Sequence, residues 1–286
     1  MLEADNGLQA GTPVGQAGVP RRDEPAHSEL EATRNVMDFW EHIGRLSGPS
    51  GVNRRRLHGS VAHELAILII SGKLSPGNVL PNEDDLSSAM SVSRTAYREG
   101  IRTLVAKGLV SARPKVGTSV NPRENWNILD GDVLSWYFEV APDPAFIRSL
   151  FELRGIVEPA GAGLAAQRHG DDDAVAMHKA LDDMKVADES SLAGLEADLA
   201  FHRAILVAAQ NDPLLALSST IEATLRWSAL LKLTAIPRIY EAALPEHAAV
   251  LAAILKRDEA KAATLMRTLV DRALEDTLDA LKHQQA

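Results

Sequence analysis

Residues 57–120 constrain this chain more than any other stretch. Three short helical patterns, two turns and an alternating pair of strands follow one another there without spare length. The first pattern covers about 59–72 and ends at Gly72, with Pro76–Gly77 supplying the turn after it. Asn82 is placed to cap a second, short helix over 83–90, with Leu86 and Met90 turned inward. A Ser-Val-Ser link leads to a third helix that opens on Ser93 as its N-cap and stops at Gly108. Beyond it, LVSARPKVGTSV alternates apolar and polar residues around a turn near Pro114–Gly117, which predicts a two-stranded wing.

The third helix carries the chemistry. Spacings of four place Arg94, Arg98 and Arg102 along one face, with Ile101, Leu104 and Val105 expected to face the other way. Arginine can fork onto a guanine edge or a phosphate, and a helix N-terminus attracts phosphate by itself. Ser93 and Thr95 add hydroxyls at the same end. Lys115, at the wing tip beside Gly117, is placed to meet a backbone phosphate or the minor groove of double-stranded DNA. The bland alternative is a solvated helix face with ordinary charges. Charge by segment favours DNA. Residues 51–123 hold 11 Lys+Arg against 5 Asp+Glu, whereas residues 1–50 hold 4 against 8 and the remainder 15 against 26. The chain as a whole is therefore acidic, at −9, but its basic charge is concentrated on this one module.

At 286 residues with 45% hydrophobic content the chain can bury two cores. The absence of cysteine excludes a disulfide framework, a thiolate metal site and a cysteine nucleophile. No apolar run approaches the roughly 20 residues of a spanning helix and no signal peptide is legible, so a cytoplasmic location with no membrane partner is expected. Residues 1–50 form an extension whose first thirty residues mix Gly, Pro and charge, a composition that predicts disorder. Residues 29–47 could form a short helix with Val36, Met37, Trp40 and Ile43 on one side. The remaining organisation reads as a module over 51–123, a linker with a short amphipathic helix (Val133, Leu134, Trp136, Tyr137) over 124–143, and an all-helical domain over 144–286.

That last domain reads as helices over about 144–169, 171–188, 191–210, 213–233, 241–256 and 258–283, with breaks at Gly170–Asp173, Asn211–Pro213 and Pro237. The fold class is thus mainly α: an N-terminal winged helix-turn-helix followed by an all-α bundle. Asp198 and His202, four apart, project from one helical face, and His247 sits amid apolar residues on another helix. A carboxylate and two imidazoles could hold a divalent metal, Zn²⁺ foremost, with open positions, or could line a polar pocket that binds a ligand directly. Arg154, flanked by Leu153, Ile156 and Val157, needs an anion: Glu158 four residues on, or the carboxylate of an organic acid. Arg226 is a further candidate for that carboxylate. His169, His178 and His283 have no companion at a useful spacing and are expected at the surface.

The phrase SGKLSPGNVLPNEDDLSSAMSVSRTAYREGIRTLVAKGLV resembles the winged helix-turn-helix of GntR-family transcriptional regulators, through Leu80, Pro81, Glu83, Val92, Ser93, Arg94 and Arg98. The resemblance implies operator contacts from Arg94, Thr95 and Arg98, completed by the wing around Lys115 and Gly117. Asp84 departs from it, standing where the fatty-acid-responsive relative carries a DNA-contacting arginine, so a different operator sequence is implied. The linker NPRENWNILDGDVLSWYFEV resembles that of the galactonate-responsive branch of the FadR subgroup, and nearly all of the helical domain resembles that subgroup's FCD-type ligand-binding domain. There the metal set is one aspartate and three histidines. The last lies 22 positions beyond the match to His247 and is Leu269 here, which leaves the set incomplete. The family also places an arginine near the effector where Arg154 stands, and Arg272 shares a face with Leu269 as a second candidate.

Three functions are then weighed. A ligand-responsive homodimeric regulator, probing a palindromic operator and answering to a small acid such as an aldonate (galactonate or gluconate), uses every feature. A helical metalloenzyme tethered to DNA would need a base or nucleophile beside the metal, and the bundle shows neither a Glu-x-x-His pair of the di-iron kind nor a Ser or Lys beside a plausible base. A constitutive architectural protein would not need a buried Arg/Asp/His set.

Overall fold

A computed structural model describes residues 57–114, 117–140, 143–187, 191–235 and 243–285. The N-terminal extension with its expected helix, Lys115 and the break at Pro237 lie outside them. The DNA module is built from α1 (Leu57–Ile70), α2 (Glu83–Ala89) and α3 (Arg94–Ala106), followed by β1 (Val110–Arg113) and β2 (Gly117–Val120). Its start signals act as the residue types dictate. The Asn82 side chain accepts from Asp85 N at 2.9 Å, and Ser93 Oγ accepts from Ala96 N at 3.1 Å, each satisfying an orphan amide. Gly100 lets α1 and α3 touch, because a Cβ there would lie 2.6 Å from Val61 Cγ1.

The buried stripe of α3 is Ala96, Tyr97, Gly100, Ile101 and Leu104. Val105 is not part of it. It is 42% exposed, because one residue past Leu104 rotates about 100° away from the core. The strands pair antiparallel with Val110 opposite Val120 and Arg113 opposite Gly117, whose φ of 99° suits glycine. An isolated bridge between Val79 and Ser119 ties this wing to the loop before α2.

The linker helix α4 (Gly131–Glu139) starts on Asp130, whose carboxylate accepts from the amides of Asp132 and Val133. Val133, Trp136 and Tyr137 pack into the core of the DNA module. From the same helix, Phe138 stacks on Trp227 of the following domain, ring centroids 4.7 Å apart. The bundle comprises α5 (Pro144–Arg168), α6 (Asp171–Val186), α7 (Leu192–Ala208), α8 (Asp212–Leu215), α9 (Ser218–Ala235), α10 (Leu244–Leu255) and α11 (Glu259–Gln285). Helix α11 lies along α5. Helix α7 packs between α5 and α6, α9 against α7, α11 and α4, and α10 against α5, α6 and α11.

Two expectations are corrected here. The helix expected over 213–233 is two: Asn211 caps a single turn, α8, by accepting from Leu214 N, and the chain turns again before α9 begins at Ser218. His169 is buried rather than on the surface. As the C-cap of α5 it folds its ring back, and Nδ1 donates to Ala165 O at 2.8 Å. His178 and His283 are exposed.

Candidate functional site

Two sites follow from this architecture. The first is the outer face of α3, where Ser93, Arg94, Thr95, Arg98 and Arg102 are all exposed and lie on the side opposite the core. Each arginine rests on a carboxylate. Arg94 Nη2 lies 3.0 Å from Asp84, Arg98 Nε donates to Glu83 at 2.9 Å, and Arg102 pairs with Glu99. The Asp84 that departs from the family pattern therefore holds Arg94. Gly117 borders the same face and lines, with Arg98 and Arg102, a groove between the wing and α3.

The second site is a cavity inside the bundle, about 770 Å³ with the open solvent at its mouth. It is lined from six helices: Arg154 on α5, Met184 on α6, Asp198 and His202 on α7, Ser228 and Lys232 on α9, Glu246 and His247 on α10, and Leu269, Arg272 and Asp276 on α11. The spacing of four between Asp198 and His202 brings their side chains together, and His247 arrives from across the bundle. One ligand atom from each of the three lies within 4.8 Å of the others.

The orientation of the imidazoles is specific. His247 Nδ1 donates to Ala243 O at 2.8 Å, and His202 Nδ1 meets Glu158 Oε2. Both Nε2 atoms are thereby left facing Asp198 Oδ1, at 3.0 Å from His247 and 3.5 Å from His202. An imidazole that donates through Nδ1 presents a lone pair at Nε2, so two such lone pairs aimed at a carboxylate call for a cation between them. A proton or a divalent metal can fill that role. The backbone carbonyl and the Glu158 carboxylate behind the rings are the partners that metal-bound histidines use. The donor set therefore fits a divalent ion, with Leu269, 5% exposed, presenting hydrocarbon where a further ligand would stand.

Electrostatics agree with a site that gathers positive charge. Burial raises the Asp198 carboxyl, but hydrogen bonds and charge from His202 and His247 outweigh it and hold the group well below the usual carboxylate range. Burial also lowers His202, yet Glu158 and Asp198 together lift it to about 9. Glu158, against burial, is drawn down to about 2 by Arg154 and His202. Lys232 is pushed down and Asp276 up, in both cases foremost by burial.

Arg154 is 2% exposed, and its Nε donates to Glu158 Oε1 at 2.6 Å, so the local ion pair read from the sequence is present. The pair does not use the whole guanidinium. Nη1 is buried without a hydrogen-bond partner among the described residues, while Arg154 lines the cavity. Arg272 reaches the cavity as well, with Nη1 donating to Glu246 Oε1 at 2.5 Å. Arg226 does not. It bonds Glu196 through both terminal nitrogens on the surface, at 2.7 and 3.2 Å, away from the cavity lining. Sequence reasoning missed Ser228, Lys232, Glu246 and Asp276. A lysine inside the apolar run WSALLKL was a usable signal for Lys232, and Glu246 directly precedes His247.

The chain matches the model of bacterial regulatory proteins of the gntR family over residues 57–120 and that of the FCD domain over residues 149–272. It is 39% identical over 158 residues to the galactonate operon transcriptional repressor of Escherichia coli (strain K12), a span of 55% of this chain and 69% of that protein. It is 30% identical over 207 residues to the HTH-type transcriptional regulator LutR of Bacillus subtilis (strain 168), covering 70% of this chain and 91% of that one. In fold alone it is similar to the solved structure of Lar, which controls expression of the Listeria monocytogenes agr system. There the TM-score is 0.55 at 19% identity, over 78% of this chain and 96% of that one. These domains and relatives are regulators of transcription, not enzymes, which sets aside the tethered metalloenzyme. Among the described residues no helix is long and apolar enough to cross a membrane.

Proposed function

Because this chain belongs to the GntR family of bacterial regulatory proteins and carries an FCD effector domain, we propose that it is a dimeric repressor whose hold on a palindromic operator is set by a small sugar acid. Residues 51–123 act as the DNA module, 124–143 as the connection and 144–286 as the effector domain. Arg94, Thr95 and Arg98 read base edges in the major groove, Ser93 and Arg102 meet the backbone, and the wing at Lys115 and Gly117 completes the grip. Asp84 and Glu83 hold Arg94 and Arg98 in place beforehand. Arg94→Ala and Arg98→Ala should each weaken operator binding by about 1–3 kcal/mol. Fluorescence anisotropy with operator DNA at several salt concentrations checks this. An alanine variant that binds as tightly as the parent would move base reading off α3.

One observation carries the effector reading: a buried arginine, Arg154, on the cavity lining, with a donor that has no partner among the described residues. A carboxylate on that donor forms a charge-assisted bond, and Ser228, Asp198 and the histidines suit hydroxyls. The relative named for the galactonate operon makes an aldonate, galactonate or gluconate, the favoured acid. The experiment is an operator-binding titration with and without D-galactonate and D-gluconate. If no sugar acid changes operator affinity, the effector class is wrong.

FCD domains commonly bind metal, and Asp198, His202 and His247 would hold one divalent ion, Zn²⁺ by the chemistry of the donors. When bound, the ion supplies a Lewis acid toward oxygen atoms of the effector. Glu158 and Ala243 O orient the two rings. Protein purified without chelator or polyhistidine tag should contain about one equivalent of metal, and His247→Ala should lose it. Metal-free protein that keeps its full response to the acid would favour direct binding by the polar pocket.

A further inference from the structure

A second orphaned atom lies on the same cavity. Glu246 gives one carboxylate oxygen, Oε1, to Arg272, while its other, Oε2, is buried with no hydrogen-bond partner among the described residues. The cavity thus offers two unmet demands of opposite sense, a donor at Arg154 Nη1 and an acceptor at Glu246 Oε2. A buried unsatisfied acceptor carries a desolvation cost that a matching donor on the ligand removes. We propose that Glu246 is a specificity-determining residue that selects acids bearing a hydroxyl, and rejects diacids, by accepting a hydrogen bond from the ligand. This deepens the sugar-acid reading above and rests on it.

Charge and hydrogen-bond satisfaction together make the selection. A hydroxyl can donate to Oε2 and leave the Arg272 pair intact. A second carboxylate on the ligand cannot donate, and it would set like charge directly against Glu246. Arg272 cannot turn to welcome that carboxylate without leaving Oε1 bare as well. A site built to bond a ligand hydroxyl discriminates strongly against an analogue that lacks it. Asp276, which also lines the cavity, adds a second carboxyl to the same lining.

Galactonate and galactarate are a suitable pair of probes, since they differ only in having a hydroxymethyl or a carboxylate at C6. Calorimetry on the full chain should give galactonate at least about tenfold tighter binding than galactarate. In Glu246→Gln the amide still accepts from Arg272 and can donate to a carboxylate, so the two ligands should bind within about threefold of one another. The melting temperature of that variant without ligand serves as the control for folding. Glu246→Asp, which keeps the charge on a shorter arm, should retain the preference in direction. Equal binding of both acids by the parent chain, or an unchanged ratio in Glu246→Gln, overturns the role of Glu246 and leaves the sugar-acid reading standing. Failure of both acids to bind the parent overturns the sugar-acid reading and this inference with it.

Discussion

Arg154→Ala should lower the melting temperature by about 10 °C, and it should do so before any ligand is added. The guanidinium and Glu158 are both 2% exposed, and their pair is the local neutralisation of two buried charges. Removing one member of such a pair leaves the other uncompensated, which costs on the order of 3–5 kcal/mol. In a chain of this size about 2–4 °C accompanies each kcal/mol. Among the described residues the Glu158 carboxylate would keep His202 as its charged partner, and the orientation of that ring would loosen with it. A loss of effector response in Arg154→Ala therefore cannot by itself be assigned to binding. Arg154→Lys separates the two roles. The ammonium retains a charge for Glu158, so most of the stability should remain. It cannot fork, so the atom corresponding to Nη1 is gone and acid affinity should fall by about tenfold or more. Differential scanning calorimetry and ligand titration on the two variants decide the matter. If Arg154→Lys binds the acid as tightly as the parent, Arg154 is a structural ion-pair residue and the carboxylate is held elsewhere.

The DNA module was legible in the sequence because its determinants are local. Caps at Asn82 and Ser93, glycine turns at Gly72 and Gly77, and the face carrying Arg94, Arg98 and Arg102 all follow from residue type and spacing within one element. Where the reading slipped, it was by rotation along one helix, as at Val105, or at a turn with no breaker residue, as before Ser218. The bundle site was most legible where two of its residues share a helix, while His247 stood out by its apolar setting on another. Asp198 with His202, and Arg154 with Glu158, are each four apart. What spacing does not encode is which helices face each other. Glu158 serves Arg154 along its own helix and His202 across to α7, and only the second contact makes it part of the histidine site. Arg226, by contrast, sits on the cavity-lining helix α9 but on its outer side, where it meets Glu196. Its residue type was suggestive and its helical phase was wrong.

The last expectation concerns how the two sites communicate. Helix α9 has one side on the cavity, through Leu225, Ser228 and Lys232, and another against α4, through Trp227 stacked on Phe138 at an interplanar angle of 11°. Thr220 of α9 also donates to Leu129 O at 2.9 Å, just before α4 begins. Helix α4 in turn shares the core of the DNA module through Val133, Trp136 and Tyr137, and Glu139 bonds His63 of α1 at 2.6 Å. A ligand that shifts α9 cannot leave α4 where it was, because packed aromatic faces do not deform continuously. Spatial continuity alone does not establish coupling, so the stack must be perturbed without touching either site. Phe138→Ala should leave acid affinity and ligand-free operator affinity close to those of the parent. It should erase the effect of the acid on operator binding, a coupling of about 1–3 kcal/mol or roughly 5–150-fold in regulators of this kind. Phe138→Leu, which keeps apolar volume but not the stacked ring, guards against a variant that simply fails to fold. By linkage the same loss must appear in reverse, as acid affinity that no longer changes when operator DNA is present. If either variant still responds to the acid with the parent's amplitude, the signal does not pass through the Phe138–Trp227 stack.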